Sequence, residues 1–204
     1  MYRWIQVARR FERAPHSRSV CKVVSKRIKV PNTFQPIDDA VDAAWDTIRE
    51  IPGADRVFYT ASEAANFSKI WHGLSFARAL VLRDPKRAIA TSAALGIEAA
   101  LVNGPIKSLF ERERPEVDER PMKLRKPKTS SFPSGHASAA VVAASFITPG
   151  MGPAATFAVR TLAAVVSTSR IHVRIHHATD VAAGVATGWA LARAIKPLLC
   201  RVLR

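Results

Sequence analysis

Several residue types are scarce in the sequence, and each scarcity excludes a class of protein. The only two cysteines in 204 residues, Cys21 and Cys200, lie near opposite ends of the chain without metal-ligand spacing. Neither a disulfide framework nor a cysteine metal site is therefore expected. Charged residues interrupt the N-terminal segment every few positions, so no signal peptide is predicted. The length predicts one compact domain rather than two.

Acidic residues are also scarce relative to basic ones. The chain has 31 lysines and arginines against 16 aspartates and glutamates, which gives a formal net charge of +15. Such an excess favours polyanionic partners: nucleic acid, phosphorylated substrates or an anionic membrane surface. Composition alone does not choose among the three.

Residues 1–37 form a basic segment in which Glu12 is the one acidic residue. Four apolar residues recur at helical spacing, which is typical of a basic amphipathic helix on a membrane surface: Trp4, Val7, Ala8 and Phe11. Pro15 and the polar stretch after it fit a disordered basic tail equally well. Both interpretations stay open.

Two amphipathic helices are predicted next. Asp38 and Asp39 begin the first, which ends at about Ile51 before Pro52-Gly53. The second begins at an apparent capping box, Thr60-Ala-Ser-Glu63, and ends at Arg83. One apolar face is predicted to carry six residues, with Lys69 and Arg78 off that stripe: Phe67, Ile70, Trp71, Leu74, Ala77 and Val81.

Four apolar stretches follow, at 88–106, 136–148, 153–168 and 181–199. A spanning helix needs ~20 residues, so the first and last are adequate and the middle two are short unless extended or tilted. Small residues are frequent in all four, including the pair Gly184-x-x-x-Gly188, as close helix packing in lipid prefers.

This pattern predicts an all-α fold, a helical bundle with about four transmembrane helices plus N-terminal amphipathic helices. Residues 38–204 would form the membrane-embedded domain after the basic segment 1–37. A soluble bundle with an Ala-rich core is the alternative, because mean hydropathy is only +0.02 and Glu98 and Arg160 interrupt the stretches.

Polar segments lie at one end of these apolar helices. They run from Lys107 to Pro115, from Ser130 to His136 and from Ser169 to Asp180. Because successive antiparallel helices alternate in direction, the three segments are expected to converge on one pocket.

The basic residues of this pocket suit a phosphoryl group. Lys107 offers a point charge, and Arg114 and Arg170 offer bidentate guanidinium groups. Ser134 and Gly135, at a helix start, add a hydroxyl, backbone N–H donors and the positive end of the helix dipole.

Two histidines supply the expected chemistry. His176 and Asp180 are four residues apart and hence adjacent on a helix, so the carboxylate can hold one imidazole nitrogen as N–H and leave the other free to attack phosphorus. His136 is the expected general acid for the leaving alkoxide. A helical metal site formed by His172, His176 and Asp180 is an alternative, but it would leave the three cations without a purpose.

The three segments resemble the signature motifs of the type-2 phosphatidic acid phosphatase (PAP2) and vanadium haloperoxidase superfamily. The motifs are Lys-x6-Arg-Pro, Pro-Ser-Gly-His and Ser-Arg-x5-His-x3-Asp, and all match without substitution. The resemblance covers roughly residues 60–200. It implies a phosphohistidine at His176, an acid at His136 and no metal or other cofactor. Stretches at 65–71 and 102–106 also resemble small actinobacterial members.

The function expected from this resemblance is hydrolysis of a lipid phosphomonoester or pyrophosphate, such as phosphatidate, phosphatidylglycerol phosphate or a polyprenyl phosphate. The expected partners are the membrane and its phosphorylated lipid, not nucleic acid, and the absence of a clear pair of spans before the first motif leaves room for a homodimer. A vanadium-dependent haloperoxidase is the alternative enzyme. A basic nucleic-acid-binding protein is the non-enzymatic alternative, but it leaves the histidines unexplained.

The expected location is a bacterial plasma membrane, crossed several times. Basic residues before the first span and after the last place both ends in the cytoplasm, so the pocket would face the extracytoplasmic side. Glu98 and Arg160 would each lie about 14 Å below the pocket. We expect them to contact each other inside the bundle, because isolated charges at that depth are costly.

Overall fold

The computed structural model describes residues 27–116, 124, 127 and 129–202, and the predicted helix at 4–11 lies outside them. This part of the chain is mostly helical, as predicted. The helices are α1 (Gln35–Arg49), α2 (Ala54–Ala64), α3 (Lys69–Leu82), α4 (Pro85–Leu101), the short α5 (Lys107–Leu109), α6 (Gly135–Ile147), α7 (Pro153–His172) and α8 (Ala178–Val202). Two-residue strands, β1 (Ile28–Lys29) and β2 (Phe110–Glu111), pair in parallel, which the sequence did not suggest.

The boundaries of the first helices differ from the prediction. Helix α1 begins at Gln35 rather than Asp38, because Pro36 is suited to the first turn of a helix. The predicted capping box is wrong, since Thr60 lies inside α2, which begins after Gly53 at a φ of 86°. Left-handed backbone at Phe67 and Ser68 then separates α2 from α3.

This interruption changes the face that α3 buries. Trp71 is fully buried as expected, but Phe67 and Val81 are 70% and 78% exposed. Arg78, predicted to lie off the apolar stripe, is buried. Its guanidinium donates to the backbone oxygen of Pro149 at 2.8 Å and lies 3.3 Å from the carboxylate of Asp84. A buried arginine thus ties α3 to the turn between α6 and α7.

Helix α6 is the centre of the bundle. It packs against α4, α7 and α8, and nearly every residue from Ala137 to Ile147 is buried. Alanine and serine dominate this helix, so the neighbouring backbones approach closely.

The predicted Gly184-x-x-x-Gly188 contact is confirmed. A Cβ at Gly184 would lie 2.4 Å from the backbone oxygen of Ser134, and one at Gly188 would lie 2.4 Å from that of Ser138. Only glycine allows α8 to lie this close to α6. The contact therefore fixes the start of α8 against the start of α6.

In the part of the chain that the structure describes, one segment, Pro85–Leu109, is long and apolar enough to cross a membrane. Gly135–Ile147 is apolar but shorter. Large apolar side chains are exposed on several helices: Phe76, Leu80, Ile89, Ile97, Phe157, Trp189 and Leu198. About four spans therefore remain a prediction.

The predicted contact between Glu98 and Arg160 is wrong. Glu98 is buried on α4 beside Ser138 of α6, whereas Arg160 is exposed on α7. Among the described residues the two side chains form no ion pair. The physical reason is the position of α6, which packs against both α4 and α7.

Candidate active site

The first site segment is positioned by a break at the end of α4. A π-helical turn, Val102–Ile106, contains the non-helical Gly104 and Pro105, which has no N–H to donate. The chain then forms the single turn of α5 and becomes extended at Phe110. This path buries Lys107, the first residue of α5, and leads the extended chain to Arg114, which is also buried.

The second site segment opens α6. Ser134 is the extended N-cap residue, and its backbone N–H donates to the backbone oxygen of Asp180 at 2.9 Å. Its buried hydroxyl has no protein hydrogen-bond partner in the described part of the chain. Gly135 lies so close to the Asn103 side chain that an added Cβ would be 3.0 Å from its oxygen. This helix start thus offers a free hydroxyl and backbone N–H groups to an anion.

The third site segment is the turn from α7 to α8. The backbone oxygen of Arg170 accepts hydrogen bonds from the N–H groups of Ile175 and His176, and Arg174 has a left-handed φ of 49°. The turn folds back so that His176 faces the end of α7. Asp180 lies in the first turn of α8.

His176 lies between a carboxylate and a guanidinium. Its Nδ1 is 3.4 Å from Asp180 Oδ2, and its Nε2 is 3.2 Å from Arg114 Nη1. Since the guanidinium can only donate, Nε2 is the unprotonated nitrogen and Nδ1 carries the hydrogen. The first distance is longer than a well-formed hydrogen bond, as is common before substrate binds.

Three cations surround this histidine. Lys107, Arg114 and Arg170 are only 7%, 8% and 2% exposed. Arg114 also donates to the backbone oxygen of Ile175 at 3.0 Å, and Arg170 donates to the hydroxyl of Ser62. Burying three positive charges together is costly unless a bound group carries compensating negative charge.

The environment keeps His176 neutral. Burial lowers the pKa of His176 to about 3, and the charges of Arg170 and Arg114 lower it as well, whereas the hydrogen bond that His176 donates to Asp180 acts in the opposite direction. Burial alone would raise the pKa of Asp180, but the hydrogen bond from His176 and the charge and hydrogen bond of Arg112 lower it to about 2. A neutral imidazole with an ionised carboxylate behind it is the state that a nucleophile requires.

His136 is the half-buried second residue of α6. Its Nε2 is 3.2 Å from Asn66 Oδ1, in the turn between α2 and α3. The structure thus brings together all eight residues that the sequence predicted for the site: Lys107, Arg114, Ser134, Gly135, His136, Arg170, His176 and Asp180.

The residues that hold this group in place were not predicted from the sequence. Ser62 of α2 contacts Arg170, and Asn66, in the turn after α2, contacts His136. Arg112 donates to Asp180 Oδ1 at 2.6 Å and also binds Asp38. Arg112 could have been found, because in an extended chain it lies on the same side as Arg114. The other contacts have no sequence signal.

His172, which the sequence offered as part of an alternative metal site, has structural contacts. His172 accepts a hydrogen bond from Trp45 at 3.2 Å, donates one to Asp55 at 2.9 Å and stacks on Phe58. It therefore points toward α1 and α2 and not toward His176. Within the described residues, no group of three histidine, cysteine or acidic side chains is arranged to hold a metal ion.

Comparison with known proteins identifies the arrangement. The sequence profile of the PAP2 superfamily matches residues 87–201, which include all three site segments. A solved structure from Bacillus subtilis, described as a transmembrane PAP2-type phosphatidylglycerolphosphate phosphatase, is similar with a TM-score of 0.63 and 23% sequence identity. The similarity covers 82% of this chain and 87% of that one, which shows a shared fold. No curated protein gives a significant match.

Proposed function

The protein belongs to the PAP2 superfamily and is a phosphatase, and from that premise we propose that it hydrolyses a lipid phosphate through a phosphohistidine at His176 without a metal ion. One observation carries the proposal. Three buried cations surround a neutral imidazole whose far side faces an ionised carboxylate. Such a site binds a phosphate and attacks it at the same place.

The first step transfers the phosphoryl group to the enzyme. Lys107, Arg114 and Arg170 bind the phosphate oxygens, and the Ser134 hydroxyl and Gly135 N–H donate to them. The Nε2 lone pair of His176 forms the N–P bond while the P–O bond to the lipid alcohol breaks. His136 gives its proton to the departing alkoxide. Asp180 accepts the Nδ1–H and stabilises the positive charge that develops on the ring of His176.

The second step restores the enzyme. His136, now neutral, takes a proton from a water molecule as its oxygen attacks phosphorus. The N–P bond breaks, its electron pair returns to Nε2, and inorganic phosphate leaves. Arg114 contacts Nε2 at 3.2 Å before substrate binds, so its guanidinium must turn to the phosphate to free the nucleophile.

The surroundings of the site support a substrate with a polar head group. A cavity of about 440 Å³ beside Arg114 and His177 is lined mainly by polar and charged side chains, among them Lys29, Gln35 and Glu113. It offers hydrogen-bond partners for the head group beyond the phosphate. Phosphatidylglycerol phosphate is the first candidate, because the similar solved structure is described as a phosphatase for that lipid.

The membrane arrangement is part of the proposal. The apolar stretches at 88–106, 136–148, 153–168 and 181–199 would span a bacterial plasma membrane, with residues 38–204 as one domain and the pocket on the extracytoplasmic side. The apolar segment Pro85–Leu109 and the exposed apolar side chains of α3, α4, α7 and α8 support it. A homodimer would be compatible with these exposed faces.

The test is phosphate release by the full chain purified in detergent. The substrates are phosphatidylglycerol phosphate, phosphatidate and a polyprenyl pyrophosphate, and the His176→Ala variant is the blank. We expect release from at least one lipid, unchanged by EDTA, because cationic side chains neutralise the phosphate. No release above the blank from any of them would contradict the proposed activity, and an EDTA-dependent loss restored by magnesium or zinc would contradict the metal-free mechanism.

A further inference from the structure

We propose that Asp38 and Arg112 are positioning residues for the nucleophile, which act by setting the orientation and charge of Asp180; this inference rests on the proposed function of His176. It makes α1, which lies before the region matched by the superfamily profile, a working part of the active site. A chain of buried polar contacts passes from α1 to the imidazole of His176.

Arg112 joins the two carboxylates. One of its amino groups donates to Asp180 Oδ1 at 2.6 Å and to the Thr179 hydroxyl at 2.8 Å. The other amino group donates to Asp38 Oδ2. Asp38 in turn accepts from the backbone N–H of Thr179 at 2.8 Å and from its hydroxyl at 2.9 Å. Asp38 and Asp180 are both buried.

These contacts leave the carboxylate of Asp180 one orientation. Arg112 holds Oδ1, while Oδ2 accepts from the backbone N–H of His177 at 3.0 Å and faces His176 Nδ1 at 3.4 Å. Oδ2 is therefore the oxygen that receives the Nδ1–H. This selects the tautomer in which Nε2 is free to attack phosphorus.

Asp38 also adjusts the charge at Asp180. An arginine bound to Asp180 alone would draw the carboxylate's negative charge away from the histidine. With Asp38 on its other side, Arg112 neutralises only one of the two carboxylates it bridges. The remaining negative charge strengthens the hydrogen bond between Asp180 and His176. It also raises the basicity of His176 in the transition state.

Helix α1 has docking contacts other than this buried pair. Val41 and Trp45 already pack against an apolar cluster of Ala137, Ile171 and Val181. Arg49 donates to the backbone oxygens of Ile171 and His172 at the end of α7. A buried ion pair adds little to stability beyond such contacts, because desolvating the charges offsets their attraction. Its place directly behind a catalytic carboxylate favours a functional role.

The test compares Asp38→Asn, Arg112→Gln and the double variant, with Asp39→Asn as the matched control. Asp39 is the next residue of the same helix, but it is exposed and bonds only Gln35 in the described part of the chain. Turnover is measured on p-nitrophenyl phosphate and on phosphatidylglycerol phosphate in detergent. The tautomer of His176 is read in parallel by nitrogen-15 NMR of histidine-labelled protein, with His176→Ala for assignment.

Asp38→Asn is expected to lower kcat about tenfold with little change in KM, as for other residues that orient a catalytic group. The charged groups facing Asp180 are Arg112, Lys107 and Arg114, with Asp38 beyond Arg112, and the titratable neutral group is His176. Arg112→Gln removes the cation between two carboxylates, so Asp180 becomes harder to ionise. The acid limb of kcat should then move to higher pH by about 1–3 units. In the double variant the acid limb should return toward its wild-type pH, because the negative charge of Asp38 is also removed.

The expected NMR result is an Nδ1–H tautomer in the wild type and in Asp39→Asn, and a mixture of tautomers in Asp38→Asn. The NMR readout needs no turnover, so it tests the positioning role even if no substrate is hydrolysed. Failure of every substrate would contradict only the proposed function. An unchanged tautomer and kcat in Asp38→Asn would overturn the inference. So would an acid limb that stays fixed in Arg112→Gln. If Arg112→Gln does not fold, the isosteric Asp38→Asn decides by itself.

Discussion

At the scale of single residues, the central feature is a neutral histidine among buried cations. Because the pKa of His176 is lowered to about 3, mainly by burial, its imidazole stays unprotonated far below the ordinary histidine range. Protonation becomes appreciable only as the pH falls toward that value. We therefore expect no titration of His176 between pH 7 and pH 5 in an NMR experiment on the full chain. A midpoint near the ordinary value of about 6.5 would contradict the buried, cation-flanked site.

The second prediction at this scale separates the two histidines. His136→Ala should lower the rate on a lipid phosphate by about 10²–10⁴-fold, because the alkoxide leaving group needs a proton. It should spare the first-turnover release of p-nitrophenol from p-nitrophenyl phosphate, whose leaving group departs without a proton, although the later hydrolysis of the phosphohistidine would be slowed. His176→Ala, the matched comparison, should lose both activities. An equal loss of the p-nitrophenol burst and of the lipid rate in His136→Ala would exclude it as the general acid.

At the scale of the elements, the close contact between α6 and α8 positions Ser134 and Asp180 in the site. Ser134 bonds Asp180 through the backbone, and Gly184 packs on the backbone oxygen of Ser134. Gly184→Ala should push the helices apart, lowering both activity and stability, the latter by about 1–3 kcal/mol. Gly96→Ala is the control, because a Cβ there meets nothing within 4 Å. It should keep full activity and gain about 0.5–1 kcal/mol in stability. Similar melting temperatures and rates for the two variants would refute this role of the contact.

The elements also show how far sequence can predict this fold. The helices that end in the motifs were predictable, because apolar length, small residues and the polar segments at one end agree. The break at Phe67 and Ser68 was not, because neither residue is glycine and no local pattern requires left-handed backbone there. Glu98 was predicted to pair with Arg160 only because both lie at a similar distance below the pocket. Depth does not determine which helix lies between two others, and here α6 lies between them.

The site shows the same division. Its eight predicted residues come from three short motifs whose spacing fixes them on helix ends. Asp38, Ser62 and Asn66 reach the site only through tertiary packing of α1 and α2, and an aspartate near a helix start usually serves the helix itself. Sequence therefore identified the groups that we propose to bind phosphate and missed those that hold them in place.

At the scale of the whole molecule, the bundle brings three separated segments to one end, with apolar helix surfaces below them. Cations that would be costly when buried are stable together only with an anion, which in the proposed reaction is the phosphate of the substrate. In this proposal, substrate binding and chemistry use the same charges. The arrangement predicts that the phosphoryl group is held covalently on His176 between the two steps.

The most direct measurement is rapid acid-free quenching of the full chain with a phosphorus-32-labelled lipid phosphate, followed by peptide mapping. We expect a base-stable, acid-labile label on His176, as for a phosphoramidate. It should be absent from His176→Ala and should form in His136→Ala from p-nitrophenyl phosphate. A label on another residue, or turnover in the His176→Ala variant, would contradict His176 as the nucleophile.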